Sequence, residues 1–242
     1  MAVYKYFATV YDRMMDNIPY DDWEQYILLL LYKNGVKPDA KITEIGCGTG
    51  TMTRRFADYG FKMTGIDISE EMLAEAEAKS KDITYIHMDM RELKLPEKQE
   101  VIFSTGDSMN YILTNDDLKK VMKSAYDNLE EGGVFLFDMK TDYFFRYSLD
   151  GYTYKENLGD FSYVWRNIYD EENHIHSYFL KFRYGYNKEK VVCEVHKQRA
   201  YFAKDIKEAA VYAGFDRAKV YGEMTLQKPM KNCERFYILL KK

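Results

Sequence analysis

A glycine-rich segment between an apolar run and a helical pattern constrains the fold more than any other feature of this sequence. Residues 42–45 form a short segment that begins and ends with isoleucine and leads into Gly-Cys-Gly-Thr-Gly at residues 46–50. Glycine has no Cβ, so a chain can turn sharply there and a ligand can lie against its backbone. A second apolar run, residues 61–68, contains Asp67, which follows Gly46 by 21 residues. A strand, a glycine loop, a helix and a second strand with an acid near its end are typical of a parallel nucleotide-binding unit.

The alternation of apolar runs and helical patterns continues along the chain. Five runs are expected to form strands, at residues 42–45, 61–68, 83–88, 101–104 and 134–137. Two further strands are expected at residues 218–222 and 235–240. Strands that alternate with helices form parallel sheets with helices on their faces. The sequence therefore predicts an α/β fold with a seven-stranded, mostly parallel, Rossmann-like sheet and helices on both faces.

Polar residues and glycines between these strands indicate where helices begin and end. Ser69 is expected to cap the helix after the second strand. Asn115 is expected to cap the helix before the fifth strand, and the glycine pair at residues 132–133 is expected to stop it. Near the beginning of the chain, either Asp21 or Asp22 is expected to cap a helix.

Residues 150–202 interrupt the alternation. Four strands in succession are predicted there, at residues 151–156, 161–169, 175–186 and 191–201, with polar turns between them. Strands joined by tight turns pair in antiparallel fashion. We therefore expect a Rossmann-like domain of residues 1–149 and 203–242, including N-terminal helices within residues 1–35, and a small antiparallel β insertion at 150–202. The insertion follows the fifth strand, so it is expected to cover an active site at the carboxyl ends of the strands.

The insertion is also rich in aromatic residues: Tyr152, Tyr154, Tyr163, Trp165, Tyr169, Tyr178, Tyr184 and Tyr186. Alternate residues of a strand face opposite sides of a sheet. These rings are therefore compatible with packing on one face, with lining a pocket, or with both.

Composition limits the classes of partner. The chain has 35 Lys and Arg against 39 Asp and Glu, with no basic stripe, so nucleic acid is not expected as a partner. Three widely separated cysteines indicate neither a disulfide framework nor a zinc site. The N-terminus lacks the apolar core of a signal peptide, and the run at residues 27–31 is too short to span a bilayer. We expect a cytoplasmic protein with no membrane partner.

The sequence alone does not assign a metal-binding or catalytic role to any of the histidines. His174 and His176 are two residues apart and would share one face of a strand. A zinc site needs at least a third ligand, which the sequence does not show, so no metal is expected. His196 could act as a general base near neutral pH, but nothing around it in the sequence singles it out.

The spacing of the glycines separates two classes of cofactor. A dinucleotide-binding loop would have its third glycine at position 51, where this chain has Thr51. Glu44, two residues before the loop, would repel a pyrophosphate but would suit a ligand with an ammonium and a sulfonium, as in S-adenosylmethionine. Asp67 is positioned to accept hydrogen bonds from both ribose hydroxyls of a nucleoside.

This segment resembles the first motif of the class I S-adenosylmethionine-dependent methyltransferases, and the resemblance extends over about residues 40–140. In the family, the residues at these positions hold the methionine part, the ribose and the adenine of the cofactor. The resemblance therefore implies a set of cofactor-binding residues: Glu44, Gly46, Cys47, Gly48, Asp67, Ile68, Met72, Asp89, Met90, Asp107 and Ser108. Glu100 departs from the family pattern, which often has Asp before the fourth strand.

The resemblance also implies where methyl transfer takes place. The loop with Asp107 and Asn110 matches the loop that faces the methyl group. A Tyr-Asp pair like Tyr11-Asp12 recurs in bacterial small-molecule methyltransferases, including those that methylate amino sugars, and implies that Tyr11 points at the methyl donor. We therefore expect direct displacement onto a small molecule. A hydroxyl acceptor would need a stronger base than the sequence shows, so an amine or a carboxylate is favoured, and of these an amine. Asp107, Tyr11 and Asn110 are the expected catalytic residues, and S-adenosylhomocysteine is the expected product.

Three other functions stay open at this point, and one of them, a nucleic-acid methyltransferase, is disfavoured by the acidic balance of the chain. A nicotinamide-dependent oxidoreductase shares the strand, loop and acid but conflicts with the glycine spacing and with Glu44. A non-catalytic module that binds S-adenosylmethionine is also compatible with the motif. The sequence identifies neither the acceptor atom nor the oligomeric state, for which a monomer and a homodimer are both open.

Overall fold

The computed structural model describes residues 6–185 and 187–242. Residues 1–5 of the expected N-terminal region, and Tyr186 at the end of the third predicted insertion strand, lie outside the described residues. The strands are β1 (Lys41–Ile45), β2 (Lys62–Asp67), β3 (Thr84–His87), β4 (Gln99–Ser104), β5 (Leu129–Lys140), β6 (Thr153–Asn157), β7 (Phe161–Asp170), β8 (Ile175–Tyr184), β9 (Lys190–Arg199), β10 (Arg217–Tyr221) and β11 (Arg235–Lys241). The α-helices are α1 (Phe7–Met14), α2 (Tyr20–Lys33), α3 (Thr51–Tyr59), α4 (Glu70–Lys79), α5 (Asn115–Asn128) and α6 (Ala203–Ala213).

The larger sheet has seven strands in the order β10-β11-β5-β4-β1-β2-β3. Strands β1 to β5 are parallel, and β11 runs antiparallel between β5 and β10. The predicted α/β fold with a mostly parallel seven-stranded sheet is confirmed. Strand β1 lies between β2 and β4 and is the middle one of the five parallel strands, so its glycine loop leaves the centre of the parallel part of the sheet.

Helices cover the larger sheet on both faces, and the strand β5 shows how the core is divided. Phe135 and Phe137 enter a buried cluster on one face, while Val134 and Leu136 enter a second cluster on the other. A strand that is buried on both faces has a continuous run of apolar residues, and such a run at residues 134–137 predicts β5 from the sequence. Within the described ranges 6–185 and 187–242, no helix combines the length and the apolar character that crossing a membrane requires.

The two predicted polar caps had different outcomes. Ser69 caps α4 as expected, since its Oγ accepts a hydrogen bond from the backbone N–H of Met72 at 3.2 Å. The prediction that Asn115 caps α5 is wrong by one residue. The cap is Thr114, which has the extended backbone that this position requires and accepts a hydrogen bond from the N–H of Asp117 at 3.1 Å.

The predicted helix stop at the glycine pair is also wrong, because α5 ends at Asn128 and both glycines lie within β5. Gly133 is required there by close packing between strands. A Cβ at this position would lie 2.9 Å from the carbonyl oxygen of Glu130 and 3.1 Å from that of Glu100.

The N-terminal region forms two helices. The helix α2 begins at Tyr20 after Pro19, so Asp21 and Asp22 lie in its first turn and neither is the cap. The segment that contains Tyr11 forms the separate helix α1.

The insertion is a four-stranded antiparallel sheet in the order β6-β7-β8-β9, as predicted. One face of this sheet packs on α1, where Phe7 and Val10 contact a cluster that includes Leu180 and Phe182. The helix α1 therefore lies between the insertion and the glycine loop. The domain boundaries at residues 149/150 and 202/203 stay predictions.

Candidate active site

A cavity of about 800 Å³ lies at the carboxyl ends of the parallel strands. Its floor is formed by residues that follow β1, β2 and β4, and its cover comes from α1 and from the insertion. All the residues predicted to bind the cofactor line it: Glu44, Gly46, Cys47, Gly48, Asp67, Ile68, Met72, Asp89, Met90, Asp107 and Ser108. Of the three residues predicted to be catalytic, Tyr11 and Asp107 line the cavity, whereas Asn110 is not among the residues that line it.

The glycine loop approaches its neighbours closely at one position and leaves space at another. Gly46 has φ +70°, and a Cβ there would lie 2.6 Å from the Cβ of Ser108. Gly48 has φ +54°, and a Cβ there would meet no atom within 4 Å. Both backbones favour glycine, but only Gly48 leaves open space beside the backbone for a ligand.

Asp67 links the glycine loop to the next helix. Its Oδ2 accepts a hydrogen bond from the backbone N–H of Gly48 at 2.8 Å, and its Oδ1 accepts one from Ser69 at 2.9 Å. Burial raises the pKa of this carboxyl, although these N–H groups act in the opposite direction. Each carboxylate oxygen can accept more than one hydrogen bond, so Asp67 retains acceptor capacity for ribose hydroxyls.

Glu44 is buried beneath the loop. Thr105 donates a hydrogen bond to its Oε1 at 3.0 Å, and Thr53 donates one to its Oε2. Burial raises the pKa of Glu44 to about 8. A cation near this carboxyl would favour its ionised form, so the site fits a ligand that carries an ammonium group.

Together these observations fit S-adenosylmethionine. Glu44 would hold the ammonium of its methionine part, Asp67 would hold its ribose, and the open side of Gly48 would accommodate the chain between them. Ile68, Met72 and Met90 supply apolar surface to the cavity.

Asp89 also lines the cavity and is already paired. It accepts hydrogen bonds from the backbone N–H of Arg91 at 2.9 Å and from its Nε at 3.0 Å. The Arg91 guanidinium lowers the pKa of Asp89, so this acid is ionised at neutral pH. Arg91 itself lines the cavity, and no pattern in the sequence marks it as a site residue.

Asp107 sits in a cluster of charges that the sequence did not reveal. Its Oδ2 lies 3.1 Å from Nζ of Lys140 and accepts a hydrogen bond from Nε2 of Gln198 at 2.6 Å, while Oδ1 lies 3.5 Å from Arg235. Burial raises the pKa of Asp107, but Lys140 and Arg235 outweigh it and the net pKa is lowered. A carboxylate held ionised in this way is a weak proton acceptor.

Asn110 is fully buried and makes three hydrogen bonds to the backbone. Its Nδ2 donates to the carbonyl oxygens of Lys140 at 3.0 Å and Arg199 at 2.8 Å, and its Oδ1 accepts from the N–H of Lys140 at 2.9 Å. These bonds join the end of β5 to the end of β9. The geometry gives Asn110 a structural position, and its catalytic role stays a prediction.

Tyr11 lies on α1 and lines the cavity, and its orientation toward the methyl donor stays a prediction. Burial, Tyr20 and Asp107 raise its pKa well above 10, so its hydroxyl stays protonated and can donate a hydrogen bond. The next residue, Asp12, accepts a hydrogen bond from Oγ1 of Thr49 at 2.6 Å and also pairs with Lys79. These contacts hold α1 against the glycine loop.

A histidine in the cover contacts the cavity through a tyrosine. Nδ1 of His196 lies 3.2 Å from the hydroxyl of Tyr111, and that hydroxyl contacts the hydroxyl of Tyr178. Nε2 of His196 lies 3.4 Å from Oε2 of Glu194. Both tyrosines line the cavity. These residues come from three separate segments, so no spacing in the sequence could have brought them together.

Metal binding has no support in the part of the chain that the structure describes. His174 lies 3.1 Å from Asp142, and His176 is buried nearby. No group of three or more His, Cys, Asp and Glu side chains among residues 6–185 and 187–242 could hold a metal ion.

Comparison with known proteins gives consistent matches. A family model described as a methyltransferase domain matches residues 42–133. YqeM of Bacillus subtilis, which is named as a methyltransferase, is 32% identical over 99% of this chain and 97% of its own length. The crystal structure of an S-adenosylmethionine-dependent methyltransferase from Clostridium acetobutylicum superimposes with a TM-score of 0.85, at 29% identity and 98% coverage of both chains.

A third match covers part of the chain. The dTDP-3-amino-3,4,6-trideoxy-alpha-D-glucopyranose N,N-dimethyltransferase of Streptomyces venezuelae is 31% identical over 42% of this chain and 43% of its own length. The name of that relative places its methylation on an amino group of a nucleotide-linked sugar.

We expect Glu44→Gln to weaken binding of S-adenosylmethionine by roughly 10- to 100-fold, because it removes a charge-assisted contact with the ammonium. The folded protein raises the pKa of Glu44 from 4.5 to about 8, so ionisation of this group costs stability progressively as the pH rises between these values. The variant should therefore unfold at the same temperature as the wild type or higher at about pH 8. Calorimetric titration and thermal unfolding measure the two effects, and unchanged affinity would contradict the assignment.

The same carboxyl predicts a pH dependence of binding. Between about pH 6 and about pH 7.5 the ligand's α-amino group stays largely protonated. Over the same range the ionised fraction of Glu44 rises, because the pH approaches the pKa of this group, which is about 8. Affinity for S-adenosylmethionine should then rise by about 10-fold in the wild type and stay nearly flat in Glu44→Gln. Equal slopes in the two proteins would show that Glu44 does not face the ammonium.

Asn110→Ala should destabilise the fold and leave the cofactor site intact. Loss of this side chain leaves three buried backbone groups without their partner, which should lower the free energy of unfolding by about 2–3 kcal/mol. Denaturant unfolding measures this change. The affinity for S-adenosylhomocysteine, measured well below the unfolding temperature, should match that of the wild type, and an unchanged free energy of unfolding would contradict the structural role.

Proposed function

We propose that this chain, which belongs to the class I S-adenosylmethionine-dependent methyltransferases, methylates an amine of a small molecule. The observation that carries the proposal is one continuous cavity with two chemically different walls. Glu44 and Asp67 lie on the wall formed by the parallel sheet. Tyr11, Trp165 and Tyr178 lie on the wall formed by α1 and the insertion. The first wall suits the cofactor, and the second leaves room for an acceptor beside it.

Bound S-adenosylmethionine supplies a methyl group on a positively charged sulfur, an electrophile that needs no further activation. The protein then has to bind the cofactor and the acceptor, align them with each other and exclude water. The glycine loop and Asp67 hold the nucleoside side, while α1 and the insertion close the cavity above it. Alignment of two reactants in this way can supply on the order of 7–11 kcal/mol of the barrier.

An amine acceptor must lose a proton, and the cavity residues differ in their ability to take it. Asp107 has a lowered pKa because of Lys140 and Arg235, so it holds a proton poorly. Tyr11 keeps its own proton because its pKa is raised. Asp107 therefore acts as a fixed negative charge, and Tyr11 acts as a hydrogen-bond donor. Another group has to take the proton of the acceptor amine.

The contact between Tyr111 and His196 supports a proton path. The Tyr111 hydroxyl takes the proton of the acceptor amine as it passes its own proton to Nδ1 of His196, 3.2 Å away. The resulting imidazolium lies beside Glu194, whose Oε2 is 3.4 Å from Nε2. A histidine backed by a carboxylate is suited to this role near neutral pH.

Family membership favours methyl transfer over the nicotinamide-dependent chemistry and the non-catalytic module that the sequence left open. The named activity of the Streptomyces venezuelae relative supports an amino group as the acceptor. The cytoplasmic location, the absence of a nucleic-acid partner and the monomeric or homodimeric state stay predictions from the sequence.

Parallel calorimetric titrations with S-adenosylmethionine, S-adenosylhomocysteine and NAD test the cofactor, and a panel of amines scored by release of S-adenosylhomocysteine tests the acceptor. We expect micromolar binding of the first two ligands, no binding of NAD, and turnover with an amine. Binding of NAD alone, or turnover confined to hydroxyl or carboxylate acceptors, would overturn the proposal.

His196→Asn tests the proton path, since asparagine can accept the hydrogen bond of Tyr111 but cannot take its proton. We expect kcat to fall by roughly 100- to 1,000-fold with little change in affinity for S-adenosylmethionine. His174→Asn, on the same insertion but outside the cavity lining, is the matched control and should keep wild-type kcat. Equal kcat values for the two variants would rule out the path.

A further inference from the structure

The cavity has a second histidine in its wall that the proposed proton path does not use. His176 on β8 is 1% exposed and lines the cavity. Its ring stacks on Phe145 with centroids 4.8 Å apart and lies 5.7 Å from the ring of Tyr178. The ring is therefore held in one orientation by packing.

The neighbours of His176 fix which of its nitrogens carries the proton. Nε1 of Trp165 donates a hydrogen bond to Oδ1 of Asn167 at 3.0 Å, and Nε2 of His176 lies 3.1 Å from the same atom. The tryptophan N–H can only donate, so the atom it faces is the amide oxygen. An amide oxygen can only accept, so Nε2 of His176 carries the proton and Nδ1 carries a lone pair.

That lone pair receives no hydrogen bond within the part of the chain that the structure describes. Nδ1 of His176 is buried and has no hydrogen-bond partner among residues 6–185 and 187–242. A buried acceptor without a partner is rare and destabilises a fold. Protonation does not relieve it, because burial and the charge of Lys140 lower the pKa of His176 to about 4. The ring therefore stays neutral at physiological pH.

The position of His176 places this acceptor next to the expected site of methyl transfer. His176 is paired across the sheet with Gln198 of β9, so the two side chains lie on the same face. Gln198 in turn donates its hydrogen bond to Asp107 at 2.6 Å. Trp165 and Tyr178 line the cavity beside His176 and offer flat apolar surface.

We infer that Nδ1 of His176 accepts a hydrogen bond from a hydroxyl of the methyl acceptor, so that the substrate is a hydroxylated amine. A hydroxyl fits better than a second amino group, because a further cation would face the positive charge of Lys140. The aromatic walls suit the carbon skeleton between the hydroxyl and the amine. This inference rests on the proposed function and adds the chemical class of the substrate.

The tautomer can be examined without a substrate. The chain has four histidines, so ¹⁵N-histidine labelling gives a spectrum in which His176 is assigned by substitution. We expect Nδ1 of His176 to show the shift of an unprotonated ring nitrogen, and Nε2 that of an N–H, from about pH 6 to about pH 8. The opposite tautomer would overturn the inference at this step.

Probe pairs that differ by one hydroxyl then test recognition. The protein saturated with S-adenosylhomocysteine is titrated with 2-aminocyclohexanol and with cyclohexylamine. We expect the hydroxylated amine to bind about 10-fold more tightly, as one hydrogen bond to a buried acceptor implies, and to move the Nδ1 resonance of His176. If neither probe moves this resonance, the inference is overturned.

Two variants separate recognition from folding. His176→Phe keeps the stack on Phe145 and removes both ring nitrogens, so it should bind the two probes equally. His176→Asn returns an acceptor near the position of Nδ1 and should restore part of the difference. Both must bind S-adenosylhomocysteine as the wild type does, and a preference that survives in His176→Phe contradicts the inference. Failure of the wild type to bind S-adenosylhomocysteine would instead overturn the proposed function.

Discussion

The carboxylate of Asp67 holds together the part of the structure on which the site depends. It accepts the N–H of Gly48 and the N–H of Ser69, and so joins the end of β2 to both the glycine loop and the start of α4. The fixed loop presents Thr49 to Asp12, which seats α1 over the cavity. The insertion then packs on α1 through a shared apolar cluster. One buried acid thus positions the binding loop directly and the cover of the cavity indirectly.

Buried carboxyls in this cavity are kept in different states by their partners. Glu44 is surrounded by hydroxyl donors, and burial raises its pKa to about 8. Asp107 is equally enclosed, but Lys140 and Arg235 keep its pKa below the usual range. The first carboxyl can gain stabilisation from a cationic ligand, whereas the second is already neutralised by the protein. The cavity therefore contains one carboxyl that a cationic ligand would stabilise and another that the protein's own cations already stabilise.

The limits of prediction are visible in individual residues. Ser69 was predicted as a cap and is one, but Thr114 and Asn115 are both good capping residues, and only the backbone angles decided between them. Gly132 and Gly133 were read as a helix stop, although Gly133 is glycine because two carbonyl oxygens approach it. Asn110 lies in the loop expected to face the methyl group, yet its side chain turns toward the backbone of two strands. Local sequence does not reveal which neighbour a side chain will meet.

The sequence by itself determined the sheet, the glycine loop and the cofactor class. These depend on contacts close in the chain, such as that between Gly48 and Asp67, 19 residues apart, which leave a recognisable spacing. Tertiary structure alone decided the charge state of Asp107, through Arg235 at a separation of 128 residues, and the contact of His196 with Tyr111 at a separation of 85. Such contacts arise where separate elements pack together, and no spacing along the chain encodes them.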